Sequence, residues 1–255
     1  MHKTARQAFL MELLMKEGQV GINYLVEKLQ VSADTVRRDL AELEKKGIAQ
    51  KNHGGAVALN LSAMSRTERS ALIPDIKLNI GRLVAEKIPS GSTIFLDAGS
   101  TLLGIATLLK GPMTVITSSL DIAHHISDNP EIELILLGGK WDTQQRLFSG
   151  GATLMVLEKY RADIAILGAC ALHSKFGLTA GQEGDAEVKR AMLAASNEHW
   201  LVADHMKLNR CEPYQVAPLS EINQLFLNAP WSEFEDTGST QVNITNPLSS
   251  GDHDD

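Results

Sequence analysis

"VSADTVRRDLAELEKKGIAQKNHGGAV", residues 31–57, decides the fold of the N-terminal part of the chain. Val36, Leu40 and Leu43 recur at helical spacing, which predicts a helix over 33–46. Ser32 stands where its hydroxyl can accept an otherwise orphaned backbone N–H, and Gly47 stops the helix. "IAQKNHGGAVAL" then reads as two short strands around a turn at Asn52-His53-Gly54-Gly55. Upstream, residues 4–17 set Phe9, Leu10, Leu13 and Leu14 at helical spacing and end at Gly18. Residues 22–30 repeat the pattern with Leu25, Val26 and Leu29. Three helices followed by a β-hairpin predict a winged helix-turn-helix.

The inward stripe of the third helix leaves Thr35, Arg37 and Arg38 on its outer side near its N-terminus. A recognition helix enters the major groove with that end. Arginine binds guanine O6 and N7 with its two-pronged donor, or clamps a phosphate; either role is open to either arginine. Ser32 and the helix N-terminus suit a backbone phosphate. Lys51 and His53 lie in the expected wing. The solvated alternative pairs Arg37 and Arg38 with Glu42 and nearby acids. The preceding helix, the turn and the hairpin at the right spacing favour the nucleic-acid reading.

The chain has 255 residues and a formal net charge of −7, which by itself argues against a nucleic-acid binder. Residues 1–57 carry nine Lys/Arg against seven Asp/Glu, leaving −9 on the remainder. The positive excess therefore lies with the two arginines. Cys170 and Cys211 form no metal-type cluster and no disulfide framework, so reduced thiols are expected. The basic, partly apolar start resembles a signal peptide, but Glu12 and Lys16 interrupt it and no small-residue cleavage site follows. No apolar run reaches the length of a membrane span. These features predict a cytoplasmic protein without membrane partners, cofactor or metal; His124, His125 and His205 have no ligand-like spacing with other donors.

Residues 59–77 read as a linker leading into a helix that begins near Pro74. Beyond it, apolar runs at 92–97, 113–119, 132–139, 162–168, 199–204 and 222–228 alternate with helical patterns. That alternation predicts a mostly parallel α/β domain over 78–231, covered on both faces, with ligands at the carboxyl ends of the strands. After "NQLFLN" the chain becomes "APWSEFEDTGSTQ", so the last strand is expected to be truncated or replaced. Residues 232–255 hold six acidic residues and no Lys or Arg, which predicts a disordered tail.

The string "VS…T-RRDL…LE…G…HGGA" closely resembles the winged-helix signature of the DeoR family of bacterial transcriptional regulators, and the resemblance runs to about residue 228. It implies a C-terminal domain similar to sugar-phosphate isomerases. Asp97-Ala98-Gly99-Ser100-Thr101 lies between a strand and a helix. From spacing alone it is an ordinary N-cap turn; by resemblance it is the family's phosphate loop, with Gly99 permitting close approach. Thr117, Ser118 and Ser119 either cap the next helix or line the same site. Arg146 suits a doubly charged phosphate or a carboxylate, or a surface salt bridge. Asp185 reads as an acid at a helix start. By resemblance, Glu187 and Lys189 take the positions of the sensor's acid and base. By the same resemblance, Lys207, in the "AD…K" element with Asp204, takes the position of the family's ligand-facing lysine.

The expected function is a DNA-binding regulator, a repressor of a carbohydrate or sugar-acid catabolic operon. Operator DNA and a phosphorylated sugar or sugar-acid effector are its expected partners, and a homo-oligomer of dimer size or larger its expected assembly. It is not expected to be an enzyme. The alternatives are a sugar-phosphate isomerase with an accessory DNA-binding domain, using Glu187 and Lys189, and an architectural DNA binder without ligand. Against the first, no second well-placed acid is visible in the sequence.

Overall fold

Two apolar stripes, one from each of two helices, close on a third helix to make the core of the N-terminal unit. The computed structural model describes residues 3–45, 49–52, 54–58, 65–70, 72–234 and 240–245. The chain divides into two units, Met1–Leu72 and Ile73–Asp255. The first holds α1 (Lys3–Glu17), β1 (Gln19–Gly21), α2 (Ile22–Leu29), α3 (Ala33–Lys45), β2 (Ala49–Asn52), β3 (Gly55–Ala58) and α4 (Arg66–Ser70). Leu10 and Leu14 of α1, Leu25 of α2, and Val36, Leu40 and Leu43 of α3 are all buried. Gly18 ends α1 with φ of +73°, a conformation that favours glycine.

The wing has three strands, not two. β3 pairs antiparallel with β2 on one side and with β1 on the other, Gly55 opposite Gly21. A Cβ at Gly55 would lie 1.8 Å from the Val20 carbonyl oxygen. The second glycine of "HGGA" is therefore required by the close approach of β1. Three residues, of which only Val20 is buried, give no strand periodicity to read.

The second unit opens with α5 (Pro74–Ala85) and continues through β4 (Thr93–Leu96), α6 (Ser100–Ala106), β5 (Met113–Thr117), α7 (Leu120–Ile126) and β6 (Ile132–Leu136). Next come β7 (Lys140–Asp142), β8 (Leu147–Ser149), α8 (Gly151–Leu157), β9 (Ala162–Gly168), β10 (Ala171–His173), β11 (Gly177–Ala180) and α9 (Glu183–Ala194). The unit ends with β12 (Ser196–Ala203), β13 (Tyr214–Ala217), β14 (Gln224–Leu227) and β15 (Gln241–Ile244). Among the described residues, seven strands form one sheet in the order β15-β14-β12-β9-β4-β5-β6, and every neighbouring pair is parallel.

Alternate residues of these strands enter two cores. Phe95, Ile116, Ala165, Leu167, Leu201 and Leu225 pack with α8 and α9. Ile94, Leu96, Val115, Ile166, Val202 and Phe226 pack with α5, α6 and α7. A sheet covered on both faces explains the nearly unbroken apolar strands. From β4 the chain adds β5 and β6 on one side; β9, β12, β14 and β15 extend the other. The order reverses between β4 and β9, and such a switch point opens a crevice at the carboxyl ends of the two strands.

Two expectations need correction. The stretch 59–77 is not all linker, since α4 lies within it and α5 starts at Pro74, whose fixed φ suits a first helical turn. The tail 232–255 is not wholly disordered, because 241–244 form β15 on the outer side of β14. There Gln241 N–H donates to Asn223 O at 2.8 Å and Thr245 N–H to Leu227 O at 2.9 Å. A bare β14 would present a row of unpaired main-chain groups. A second small sheet, β10-β11-β13, and the β7–β8 hairpin carry too few residues to stand out as periodic.

Candidate functional sites

In the N-terminal unit, Ser32 caps α3: the Thr35 N–H donates to Ser32 Oγ at 3.2 Å, and the two hydroxyls lie 2.9 Å apart. Beyond the cap, "RRDL" divides. Asp39 and Leu40 turn inward, whereas Arg37 and Arg38 are exposed. Arg37 meets Asp34 at 2.8 Å, with the two side chains 59% and 79% exposed. Such a pair contributes little to stability and competes weakly with an anionic partner. Arg38 Nε reaches only the Asp34 carbonyl, at 3.5 Å. Glu42, the acid offered by the solvated alternative, is held instead by Lys3 at 2.8 Å and by Gln7. Asp39 takes the Arg6 guanidinium on both oxygens and ties α1 to α3.

Lys51 is exposed on β2. Its N–H donates to Glu44 Oε1 at 2.9 Å and its ammonium lies 3.7 Å from the same carboxylate, joining wing to helix. His53 lies outside the described residues. Ser32, Thr35, Arg37 and Arg38 thus share the outer side of one capped helix, and Lys51 sits on the adjoining strand.

In the second unit, a buried ionic cluster lies at the carboxyl ends of β4 and β9. Asp97, directly after β4, accepts from the Lys189 ammonium and from the Gly168 N–H at 3.0 Å on its Oδ2. Asp185, one helical turn before Lys189 on α9, lies 3.3 Å from the same ammonium. Cys170, just past β9, donates its thiol to Asp185 Oδ2 at 3.2 Å. Lys189 is wholly buried and Asp97 nearly so, an environment in which a lysine is almost never found unpaired. Burial opposes the Lys189 charge, but Asp185 and Asp97 outweigh it and hold the ammonium above its ordinary value. Burial pushes the Asp97 carboxyl up, against the pull of Lys189. Burial, reinforced by Asp185, pushes the Cys170 thiol up to about 12.

The other sequence candidates fall around this cluster unevenly. Ser118 follows β5, next to β4 in the sheet, and is wholly buried. Ser119 caps α7, accepting from the Ile122 N–H at 3.4 Å. Ser100 and Thr101 open α6. Gly99 has an extended backbone, with φ of −175°. Its lack of a side chain serves Leu102, whose Cδ2 would lie 2.9 Å from a Cβ there. Lys207 sits in a short 3-10 turn after β12, and Asp204 caps that turn through the Met206 N–H at 2.9 Å. Lys207 is near enough to Cys170 to lower that thiol's pKa slightly.

Two candidates behave differently. Arg146 adopts φ of +52° and donates from Nε to both oxygens of Asp121, at 2.8 and 2.9 Å, which is the salt-bridge alternative. Glu187 is half-buried, but the acid against Lys189 is Asp185. Residues four apart share a helix face and residues two apart do not. The Asp185–Lys189 spacing was legible in the sequence. Cys170 had no such signal, because only the fold brings it beside α9.

Comparison with known proteins fits both units. Residues 6–61 match the DeoR-like helix-turn-helix domain, and residues 74–229 match the DeoR C terminal sensor domain. The chain is similar to the HTH-type transcriptional repressor GlcR of Bacillus subtilis, with 34% identity over 228 residues and 88% of each chain covered. It is 32% identical over 234 residues to the Glycerol-3-phosphate regulon repressor of Escherichia coli, covering 90% of this chain and 92% of that one. Among solved structures, ribose 5-phosphate isomerase A from Methanocaldococcus jannaschii aligns with a TM-score of 0.40 and 21% identity, over 53% of this chain and 54% of that chain.

Proposed function

The chain belongs to the DeoR family of transcriptional regulators, and from that premise we propose that it is a repressor of a carbohydrate or sugar-acid catabolic operon, released from its operator by a phosphorylated sugar or sugar acid. The outward pair Arg37 and Arg38 on a Ser32-capped helix carries the DNA-binding half. One guanidinium reads a base edge and the other holds phosphate. Thr35 and Lys51 adjoin that surface, and His53 is assigned to it by the sequence alone.

The sensing half takes its ligand at the β4–β9 crevice. Support comes from the position of the crevice at the sheet's switch point and from the Asp97–Lys189–Asp185 cluster inside it. Ser100, Thr101 and Lys207 supply donors for a phosphate, and Arg146 becomes one on leaving Asp121. Release follows from linkage: the ligand binds the DNA-incompetent arrangement better than the competent one. Two recognition helices reading half-sites one DNA turn apart call for a dimer at least. The names of the relatives, a glycerol-3-phosphate regulon repressor among them, support a phosphorylated ligand. The protein acts in the cytoplasm, where its DNA is.

The test is binding to the DNA upstream of the protein's own gene. An R37A/R38A protein that keeps its wild-type fold loses specific binding. Wild-type affinity in that variant would place the reading surface elsewhere.

A further inference from the structure

Two buried polar atoms beside the ionic cluster have nothing to bond. Asp97 gives its Oδ2 to Lys189 and to Gly168, while its Oδ1 has no hydrogen-bond partner among the described residues. Ser118 Oγ is in the same condition. Both residues are almost fully buried. Native proteins seldom leave such groups unpaired unless a water or a ligand completes them.

The two residues are neighbours across the sheet. β4 and β5 run parallel with Phe95 opposite Ile116, and two residues further along each strand stand Asp97 and Ser118. Positions in register on neighbouring strands lie about 5 Å apart, so an oxygen atom between two side chains that follow those strands on one face can bond to both. With Lys189 and Gly168 donating to Oδ2, Oδ1 is the acceptor. The group between must therefore donate a hydrogen to Asp97. A water or an alcohol O–H does so, whereas a phosphate oxyanion would meet a carboxylate acceptor for acceptor.

We infer that Asp97 and Ser118 together form a hydroxyl-reading subsite, which binds an uncharged alcohol group of the ligand and holds water in its absence. This rests on the reading that the ligand binds at this crevice, and it removes Asp97 and Ser118 from the phosphate cradle. The charged end of the ligand then lies towards other donors. Selectivity follows, since a hydroxyl read by two buried groups discriminates strongly against an analogue that lacks it. The β7–β8 hairpin is tied to the main chain of this subsite, the Phe148 N–H donating to the Ser118 carbonyl at 2.9 Å.

Calorimetric titration of the full-length protein tests the assignment. The probes are glycerol 3-phosphate, glucose 6-phosphate, the hydroxyl-free propyl phosphate and inorganic phosphate, each against wild type and S118A. We expect at least one hydroxylated phosphate to bind wild type, propyl phosphate to bind at least tenfold more weakly, and S118A to lose tenfold or more for the hydroxylated probe while its affinity for inorganic phosphate holds. Equal binding of propyl phosphate, or an S118A protein unchanged for the hydroxylated probe, overturns the subsite alone. Failure of every probe on wild type overturns the ligand reading beneath it. A crystal structure near 1.5 Å, with and without glycerol, gives an independent reading. An oxygen within about 3 Å of both Asp97 Oδ1 and Ser118 Oγ is expected, and a direct Ser118–Asp97 hydrogen bond with nothing between contradicts it.

Discussion

Lys189 on α9 is bound to Asp97 at the end of β4, a residue ninety-two positions earlier in the chain, and both are buried. The pair joins the helix to the sheet at the one place where the strand order reverses. Asp185 completes the ammonium's surroundings from the same helix. On the proposed reading, structure and sensing draw on the same three side chains.

Removing the lysine leaves two buried carboxylates facing each other. A K189M protein is predicted to lose about 3–5 kcal/mol of stability, the usual cost of stranding a buried charge. Urea unfolding followed by fluorescence measures this. The Lys189 pKa is raised on folding, so its contribution is present in full below the unfolded value of about 10.4 and is lost only as pH rises through the higher folded value. The contribution of Lys189 itself is accordingly unchanged from pH 6 to 9, while the stranded carboxylates of K189M lose stability as they ionise, so the difference between wild type and K189M holds or widens as pH rises. A difference that shrinks across that range contradicts a charged Lys189.

The two thiols should react very differently. Cys211 is exposed, while Cys170 is held up at about 12 by burial and by Asp185. At pH 8 about one Cys170 in 10⁴ is a thiolate, and the thiolate is the nucleophile. Mass spectrometry after brief iodoacetamide treatment of folded protein should find Cys211 labelled and Cys170 untouched. Comparable labelling of both would mean that the Cys170–Asp185 contact does not hold in solution.

Arg6 and Arg37 separate structural from functional charge on the same helix system. Arg6 holds the buried Asp39, so R6A is predicted to lower the melting temperature of the N-terminal unit and to weaken DNA binding only as a consequence. Arg37 is exposed. R37A should leave melting unchanged and flatten the slope of log affinity against log salt by about one if Arg37 holds a phosphate. If it reads a base, the loss appears on the operator and not on random DNA. Equal melting and equal binding in both variants would refute the division of "RRDL" into inward and outward halves.

Much of this was visible in the residues. The winged unit could be read because Val36, Leu40 and Leu43 keep helical spacing and Gly54-Gly55 marks a turn. The parallel sheet could be read because most of its strands, covered on both faces, carry nearly unbroken apolar runs. What escaped reading shares one physical character. β1 has three residues, and β15 is Gln-Val-Asn-Ile, so each is strand only because a neighbouring edge needs its main-chain hydrogen bonds. The ionic cluster was partly legible. Asp97 and Lys189 stand out in the sequence, whereas Asp185 reads there as an acid at a helix start, and its contact with Lys189 comes from the structure. Helix phase favours Asp185, and only the packing of α9 on the sheet makes that phase decisive.

The same reasoning predicts the effect of shortening the chain. A protein ended after Phe234 lacks β15 and bares the β14 edge. It should melt at a lower temperature and associate with itself, seen as added mass in light scattering at rising concentration. A shortened protein with unchanged melting and mass would deny β15 any part in the sheet.

On the proposed reading, ligand binding at the carboxyl ends of β4 and β9 governs DNA affinity. Fluorescence anisotropy on the DNA upstream of the protein's own gene, titrated with phosphorylated sugars and sugar acids, tests it most directly. At least one such compound is expected to weaken wild-type binding fivefold or more, the lower end of ordinary allosteric coupling, and a folded S118A protein to need at least tenfold more of it. Specific DNA binding that no phosphorylated sugar or sugar acid alters would contradict the account.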